Sequence, residues 1–188
     1  PDNALALELA GLTELRLNAY VQAEAFLGKA LQLAPNLTMA RRGLVLTYAR
    51  QGRFDKAMAT LAPGLEKNDR DPVMLTLAGQ IHLLQGDTER AQRYFKKASG
   101  LDPRDPVKRT SLAVSRLMSG QTEAALDELH DIATSDDGVV ADMALVNALL
   151  QKRDVTRALE AIAALEKKRP ADIRAPFLRG RALLLKDD

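Results

Sequence analysis

A chain of 188 residues with 27 Lys and Arg against 25 Asp and Glu carries a formal charge of only +2, too small an excess to mark a nucleic-acid-binding protein. Without cysteine it has no disulfide framework, no thiolate nucleophile and no cysteine-ligated zinc or iron–sulfur centre. No run reaches the ~18 consecutive apolar residues of a membrane-spanning helix, so direct membrane insertion by this stretch is not expected.

Charged residues make up 28% and aromatics 4%, Ala and Leu dominate, and β-branched runs are scarce, which favours an all-α chain. Ala23, Ala57, Ala91, Ala125 and Ala158 recur at spacings of 34, 34, 34 and 33. Each is followed four residues later by Leu27, Leu61, Phe95, Leu129 or Ile162, the spacing that stacks a small and a large side chain on one helix face. The register predicts a single array of helix–turn–helix units over 4–37, 38–71, 72–105, 106–138 and 139–172, then a lone first helix over 173–188.

Position eight of each unit reads Gly11, Val45, Gly79, Ala113, Val146 and Gly180, mostly small residues that let antiparallel helices approach. Gly52, Gly86 and Gly120 fall at position fifteen, between the helices, where a left-handed backbone costs glycine least. Pro35, Pro103 and Pro170 close their units. Pro63-Gly64, inside the second helix of the second unit, predicts a kink or an early end. The fourth unit is one residue short, and the turn-rich Ser135-Asp136-Asp137-Gly138 is the expected place of the loss. Pro1 falls at the closing position of a preceding unit and Lys186-Asp187-Asp188 just before a second helix, so both ends read as cuts within a longer array.

The residues offer no chemistry. His82 and His130 lie in different units with no acid or second ligand at a metal-type spacing, so a packed or half-exposed imidazole is expected and no metal or cofactor. There is no phosphate-cradling glycine loop, no HExxH and no nucleophile elbow, and the acidic pairs Asp136-Asp137 and Asp187-Asp188 read as solvated charge; an enzyme is not expected. Arg90, Arg93, Lys96, Lys97, Arg104, Lys108 and Arg109 form a basic cluster. Asp87, Glu89, Asp102 and Asp105 interleave with it and no exposed aromatic run accompanies it, which favours a solvated face over an anionic partner.

The five-fold register resembles the tetratricopeptide repeat (TPR) family across the chain, most clearly in LTLAGQIHLLQGDTERAQRYFKKASGLDP at 75–103. It departs at position four, where the family often has an aromatic and this chain has Leu7, Arg41, Leu75, Arg109, Asp142 and Pro176. The resemblance implies a superhelical solenoid of antiparallel helix hairpins that binds a protein or peptide in a concave groove. Groove positions two, five and nine carry Leu5, Glu8 and Leu12 in the first unit and Met39, Arg42 and Leu46 in the second. They carry Val73, Thr76 and Gln80 in the third, Val107, Thr110 and Val114 in the fourth, and Val140, Met143 and Asn147 in the fifth, with Arg174, Phe177 and Arg181 on the last helix.

An apolar stripe with a few polar groups results. Arg42 and Arg50, eight residues apart, are expected to share a face, and Gln80 and Asn147 to bond a peptide backbone. The partner so described is an extended or helical segment with apolar anchors and an acidic group near Arg42. The alternative is that these side chains pack on neighbouring helices. The Lys, Asn and Arg set with which some TPR domains grip a C-terminal carboxylate is replaced here by Glu8, Leu12, Gly43, Val73 and Leu77.

ARQGRFDKAMATL, GDTERAQRYFKKASGLDPRDP and ALLQKRDVTRALEAIAALEKKRP also resemble bacterial TPR lipoproteins of exopolysaccharide and PEP-CTERM export systems. That resemblance implies a periplasm-facing envelope lipoprotein organising export factors; a cytoplasmic adaptor and a non-catalytic domain of an enzyme such as a glycosyltransferase are the alternatives. The sequence leaves the oligomeric state open, with end-to-end contacts between exposed apolar faces as one option.

Overall fold

A computed structural model describes residues 3–186, and within them the chain is all-helical. Eleven helices run α1 (Ala4–Arg16), α2 (Tyr20–Leu33), α3 (Thr38–Arg50), α4 (Phe54–Lys67), α5 (Pro72–Leu84), α6 (Thr88–Leu101), α7 (Pro106–Met118), α8 (Thr122–Ser135), α9 (Val140–Gln151), α10 (Val155–Lys168) and α11 (Arg174–Lys186). The chain divides into two compact units, Pro1–Leu101 with α1 to α6 and Asp102–Asp188 with α7 to α11. Pro1, Asp187 and Asp188, to which the sequence assigned repeat ends, lie outside the described residues.

Local chemistry sets the helix starts. Asn3, Asp71 and Asp105 stand as N-caps of α1, α5 and α7, each accepting two first-turn backbone N–H groups on its side chain. Pro72 and Pro106 follow at once, where a missing N–H costs no helical bond. Leu37 cannot cap α3, and the carboxylate of Glu8, on α1, supplies the acceptor instead, taking the Ala40 N–H at 2.7 Å.

Every hairpin turn passes through a left-handed residue at position fifteen. Gly52, Gly86 and Gly120 have φ of 71°, 80° and 87° as expected, and Asn18 and Arg153, both at φ 59°, fill the same place in the first and fifth hairpins. The bonds around Gly52 show why: its N–H donates to the Ala49 carbonyl (3.1 Å) and that of Arg53 to Tyr48 (2.9 Å), closing the end of α3. Arg153 and Asp154 repeat the pattern on Leu150 and Leu149.

Two local expectations change. The second helix of the second hairpin does not end early at Pro63, because α4 continues to Lys67. Pro63 and Ala59, whose carbonyl loses its helical donor to the proline, are both exposed, so water can satisfy the carbonyl. One residue on, Gly64 leaves room for Arg41, whose Cδ would lie 3.1 Å from a Cβ there and whose guanidinium donates to the Thr60 and Pro35 carbonyls (3.0 and 2.7 Å). The one-residue deficit is taken up by the helix rather than the turn. The connection 136–139 keeps four residues, as do 34–37 and 68–71, while α9 has 12 residues where the other first helices have 13.

The repeated alanines and their large partners form the core: Ala23 with Leu27, Ala57 with Leu61, Ala91 with Phe95, Ala125 with Leu129 and Ala158 with Ile162 are all buried. Each large side chain contributes about 1.5–3 kcal/mol on leaving water. In the first unit these cores join α1, α2 and α3, then α3, α4 and α5; in the second, one cluster runs from Ala113 to Ala182.

Candidate protein-interaction surface

Within each unit the backbones of successive first helices approach closely, α1 with α3, α3 with α5, α7 with α9 and α9 with α11, whereas among the described residues the second helices meet only through side chains, as where Arg157 of α10 pairs with Glu123 of α8 (3.2 Å). The first-helix row is therefore the tighter, inner face of each unit. Position two is the residue each first helix turns outward on that face. In the first unit it places Leu5, Met39 and Val73 in succession, and in the second Val107 and Val140, all 40–58% exposed. Leu46 and Gln80 at position nine and Arg50 near the end of α3 are exposed as well.

The remaining positions divide by chemistry. Glu8 is half-buried and spent on the first turn of α3. Arg42 does not await an acidic group on a partner: its Nη2 donates to both Asp71 oxygens (3.3 and 3.1 Å). Burial alone would raise the Asp71 pKa, but the Met74 N–H, the Arg42 guanidinium and the Val73 N–H hold it below the ordinary value. Position five of the first two hairpins thus serves the start of the next first helix. Arg42 and Arg50 differ accordingly, one engaged and one exposed.

Thr76 donates its hydroxyl to the Pro72 carbonyl (2.7 Å), and Thr110 is only 3% exposed, so it presents no surface to a partner. Leu12 packs where a Cβ on Gly43 would stand 2.7 Å from its Cδ2. Val114 is half-buried, and Met143 packs on the core of the second unit. The Asn147 amide is already engaged, donating to the Met143 carbonyl (2.8 Å) and accepting from Arg181 (3.4 Å). Gln80 alone of the two amides stands open.

The basic cluster is threaded by acids. Arg90 pairs with Asp87 (3.3 Å), Lys97 with Asp69 (2.8 Å), and the buried Lys108 with Asp102 (3.0 Å) and Asp105. His82 is buried and stacked on Tyr94, with ring centroids 5.5 Å apart. Burial lowers its pKa below the ordinary 6.5, partly offset by Asp87, whose carboxylate lies 3.9 Å from Nδ1.

Sequence reasoning missed one polar centre. Lys168, at the end of α10, donates to the carbonyls of Ala133, Asp136 (2.9 Å) and Gly138 (3.1 Å) and to the buried Asp142 carboxylate (2.8 Å). The lysine pins the 136–139 connection, whose last residue, Val139, has no capping side chain. Its only sequence signal was the departure of Asp142 from the usual aromatic at position four. Beside it an open cleft of about 750 Å³ lies among α8, α9 and α10, floored by Leu145, Leu149 and Ala161 and edged by His130, Asp142 and Lys168. Among the described residues no cluster of His, Asp and Glu is placed to hold a metal, and no helix is long and apolar enough to cross a membrane.

Three tetratricopeptide repeat models match residues 14–81, 73–105 and 143–188, together more than half of the chain. The chain belongs to the tetratricopeptide repeat family. Solved TPR structures share the fold at low identity. TTC0263, a thermophilic TPR protein of Thermus thermophilus, superposes with a TM-score of 0.83 at 18% identity, over 97% of this chain and 100% of its own. YrrB, a TPR protein with an unusual peptide-binding site, reaches 0.62 at 18% identity over 100% and 93%. In sequence, this TPR chain is 30% identical over 133 residues to the BBSome complex member BBS4 of Bos taurus, covering 71% of this chain and 24% of that protein. The chain thus spans about a quarter of that relative's length.

Proposed function

We propose that this TPR chain is a non-catalytic scaffold whose first-helix row binds a segment of another protein. The observation that carries the reading is the position-two stripe. Every hairpin exposes an apolar side chain at one register position, and contiguous exposed apolar surface on a rigid helical face marks a partner site. The partner's main anchors are apolar. Leu5, Met39, Val73 and Leu46 supply contact area in the first unit, with Gln80 as an open amide and Arg50 as an open cation; Val107 and Val140 continue the pattern in the second. The relatives are consistent with this: YrrB has a peptide-binding site, and BBS4 is a member of a complex. Placement in an envelope export assembly, with the chain part of a lipoprotein, rests on the sequence resemblance alone.

The test compares partner capture by the chain and by Met39→Glu/Val73→Glu, with Val21→Glu on the exposed side of α2 as control, all confirmed folded by circular dichroism. The expected result is a partner retained by the chain and the control and lost by the double variant. Equal capture by all three refutes the first-helix row as the site.

A further inference from the structure

The cleft among α8, α9 and α10 traces to two residues of the fifth hairpin. Positions eleven and twenty-three of a hairpin, one on each helix, meet across it: His82 stacks on Tyr94 in the third, and Arg116 pairs with Glu128 in the fourth. In the fifth they are Leu149 and Ala161. Position twenty-three otherwise reads Phe26, Thr60, Tyr94 and Glu128, so Ala161 is its smallest occupant. Both residues line the space of about 750 Å³ that results, together with Leu145 and, one turn along α10, Ala164. That volume lies within the ~300–1,000 Å³ of sites that enclose a ligand group. The cleft is internal to the second unit, since α11 follows α10 and packs on it. It opens between second helices, away from the first-helix row.

Its charges are polarised along its length. Asp127 on α8 and Glu160 on α10, each two residues after its repeated alanine, mark one end; Thr134 and Lys167, each nine after, mark the other. At the first end Arg157 is shared among Glu123 (3.2 Å), Asp154 (3.8 Å) and Asp127 (4.0 Å), and Lys152 also goes to Glu123. The exposed Glu160 makes no ion pair among the described residues, so carboxylates exceed cations there. At the second end Lys168 is spent on Asp142 and backbone carbonyls, whereas the exposed Lys167 makes no ion pair among the described residues.

We infer that this cleft binds an extended segment of another protein that seats a large aromatic side chain over Leu149 and Ala161. The segment carries a basic residue toward Asp127 and Glu160 and an acidic residue toward Lys167. Glu160 and Lys167 stand seven residues apart on α10, about 10 Å along its axis, which three to four residues of extended chain span.

The chain has no tryptophan, so a tryptophan peptide reports its own burial through the blue shift of its emission. The probe is acetyl-Ala-Lys-Ala-Trp-Ala-Glu-Ala-amide, titrated with the 1–188 chain. Saturable binding with a blue shift is expected, at least fivefold tighter than that of peptides with Lys at both charged places or Glu at both. Ala161→Tyr fills the cleft with the residue that the third hairpin carries at the same position. It is expected to keep the parent's circular dichroism and to weaken binding at least tenfold. Asp127→Lys/Glu160→Lys changes exposed positions alone, and should move the preference to the peptide with Glu at both places.

Absence of binding, or equal binding by Ala161→Tyr, overturns the inference. So does a peptide preference that the charge variant leaves unchanged. Met39→Glu/Val73→Glu, on the first-helix row, should take the peptide as the parent does; its failure to do so would place the peptide on that row and overturn the assignment to the cleft.

Discussion

Glycine to alanine at position eight should change sign along the chain. In a helix interior the replacement stabilises by ~0.5–1 kcal/mol, because glycine gives up more backbone freedom on folding. At Gly180 nothing opposes that gain, since no atom lies within 4 Å of the new Cβ. At Gly79 the Cβ would stand 2.6, 2.7 and 2.9 Å from three atoms of the Phe95 ring, which is 1% exposed and has no open side to move into. Overpacking of that kind costs about 1–3 kcal/mol, so the net change at Gly79 is a loss of up to ~2 kcal/mol. Gly11 resembles Gly79, with the buried Leu27 at 2.5 Å and its backbone nitrogen at 3.1 Å. Urea denaturation of the three single variants measures the series, with helicity as the readout. Gly180→Ala should unfold at higher urea than the parent, and Gly11→Ala and Gly79→Ala at lower. A Gly79→Ala chain as stable as Gly180→Ala would refute the reasoning, because it would mean that α5 and α6 are not held at the separation the socket requires.

Lys168→Met strands the buried Asp142 carboxylate and leaves three carbonyls of the 133–138 segment without their donor, and should cost about 3–5 kcal/mol in urea denaturation; a loss under ~1 kcal/mol would show that water replaces the ammonium. His82 is held neutral, its folded pKa below that of the unfolded chain, so its contribution is present above the unfolded pKa near 6.5 and is lost as pH falls through that value toward the folded one. Thermal melts at stepped pH should show the midpoint dropping on acidification below 6.5 more steeply in the parent than in His82→Gln, and identical slopes would exclude the imidazole as the cause. Gly120 adopts without strain a left-handed backbone that a side chain disfavours, so Gly120→Arg should destabilise by ~1–2 kcal/mol, read from the same denaturation curves.

The parts of the fold legible in the sequence are those fixed by steric demand at one position. An alanine with a large apolar residue four later, a small residue at position eight and a glycine at position fifteen each answer a local constraint, and five copies make the constraint visible. The left-handed Asn18 and Arg153 show that the register outlasts the residue type. The early end allowed for at Pro63 does not occur, because a helix breaker acts together with its neighbours. On the solvent side of α4 the carbonyl that loses its donor lies on an exposed residue, open to water, and Gly64 beside the proline makes room for Arg41. Lys168 was illegible for a different reason: a lysine near a helix end is ordinary in any sequence, and only the fold gathers Ala133, Asp136, Gly138 and Asp142 around it.

The surface residues separate along the same line. Apolar position two was legible as exposed surface in all five hairpins, because nothing within a hairpin competes for that side chain. Polar position five was not, because its side chains have internal work. Glu8 replaces the cap that Leu37 cannot provide, and Arg42 joins the Asp71 carboxylate that starts α5. Both use a charge on one first helix to fix the beginning of the next, so a substitution at either would disturb hairpin stacking before it altered partner choice. On the binding reading proposed above, selectivity falls to the residues that remain open, Leu5, Met39 and Val73 with Leu46, Arg50 and Gln80, and experiments that separate binding from folding should begin with those six.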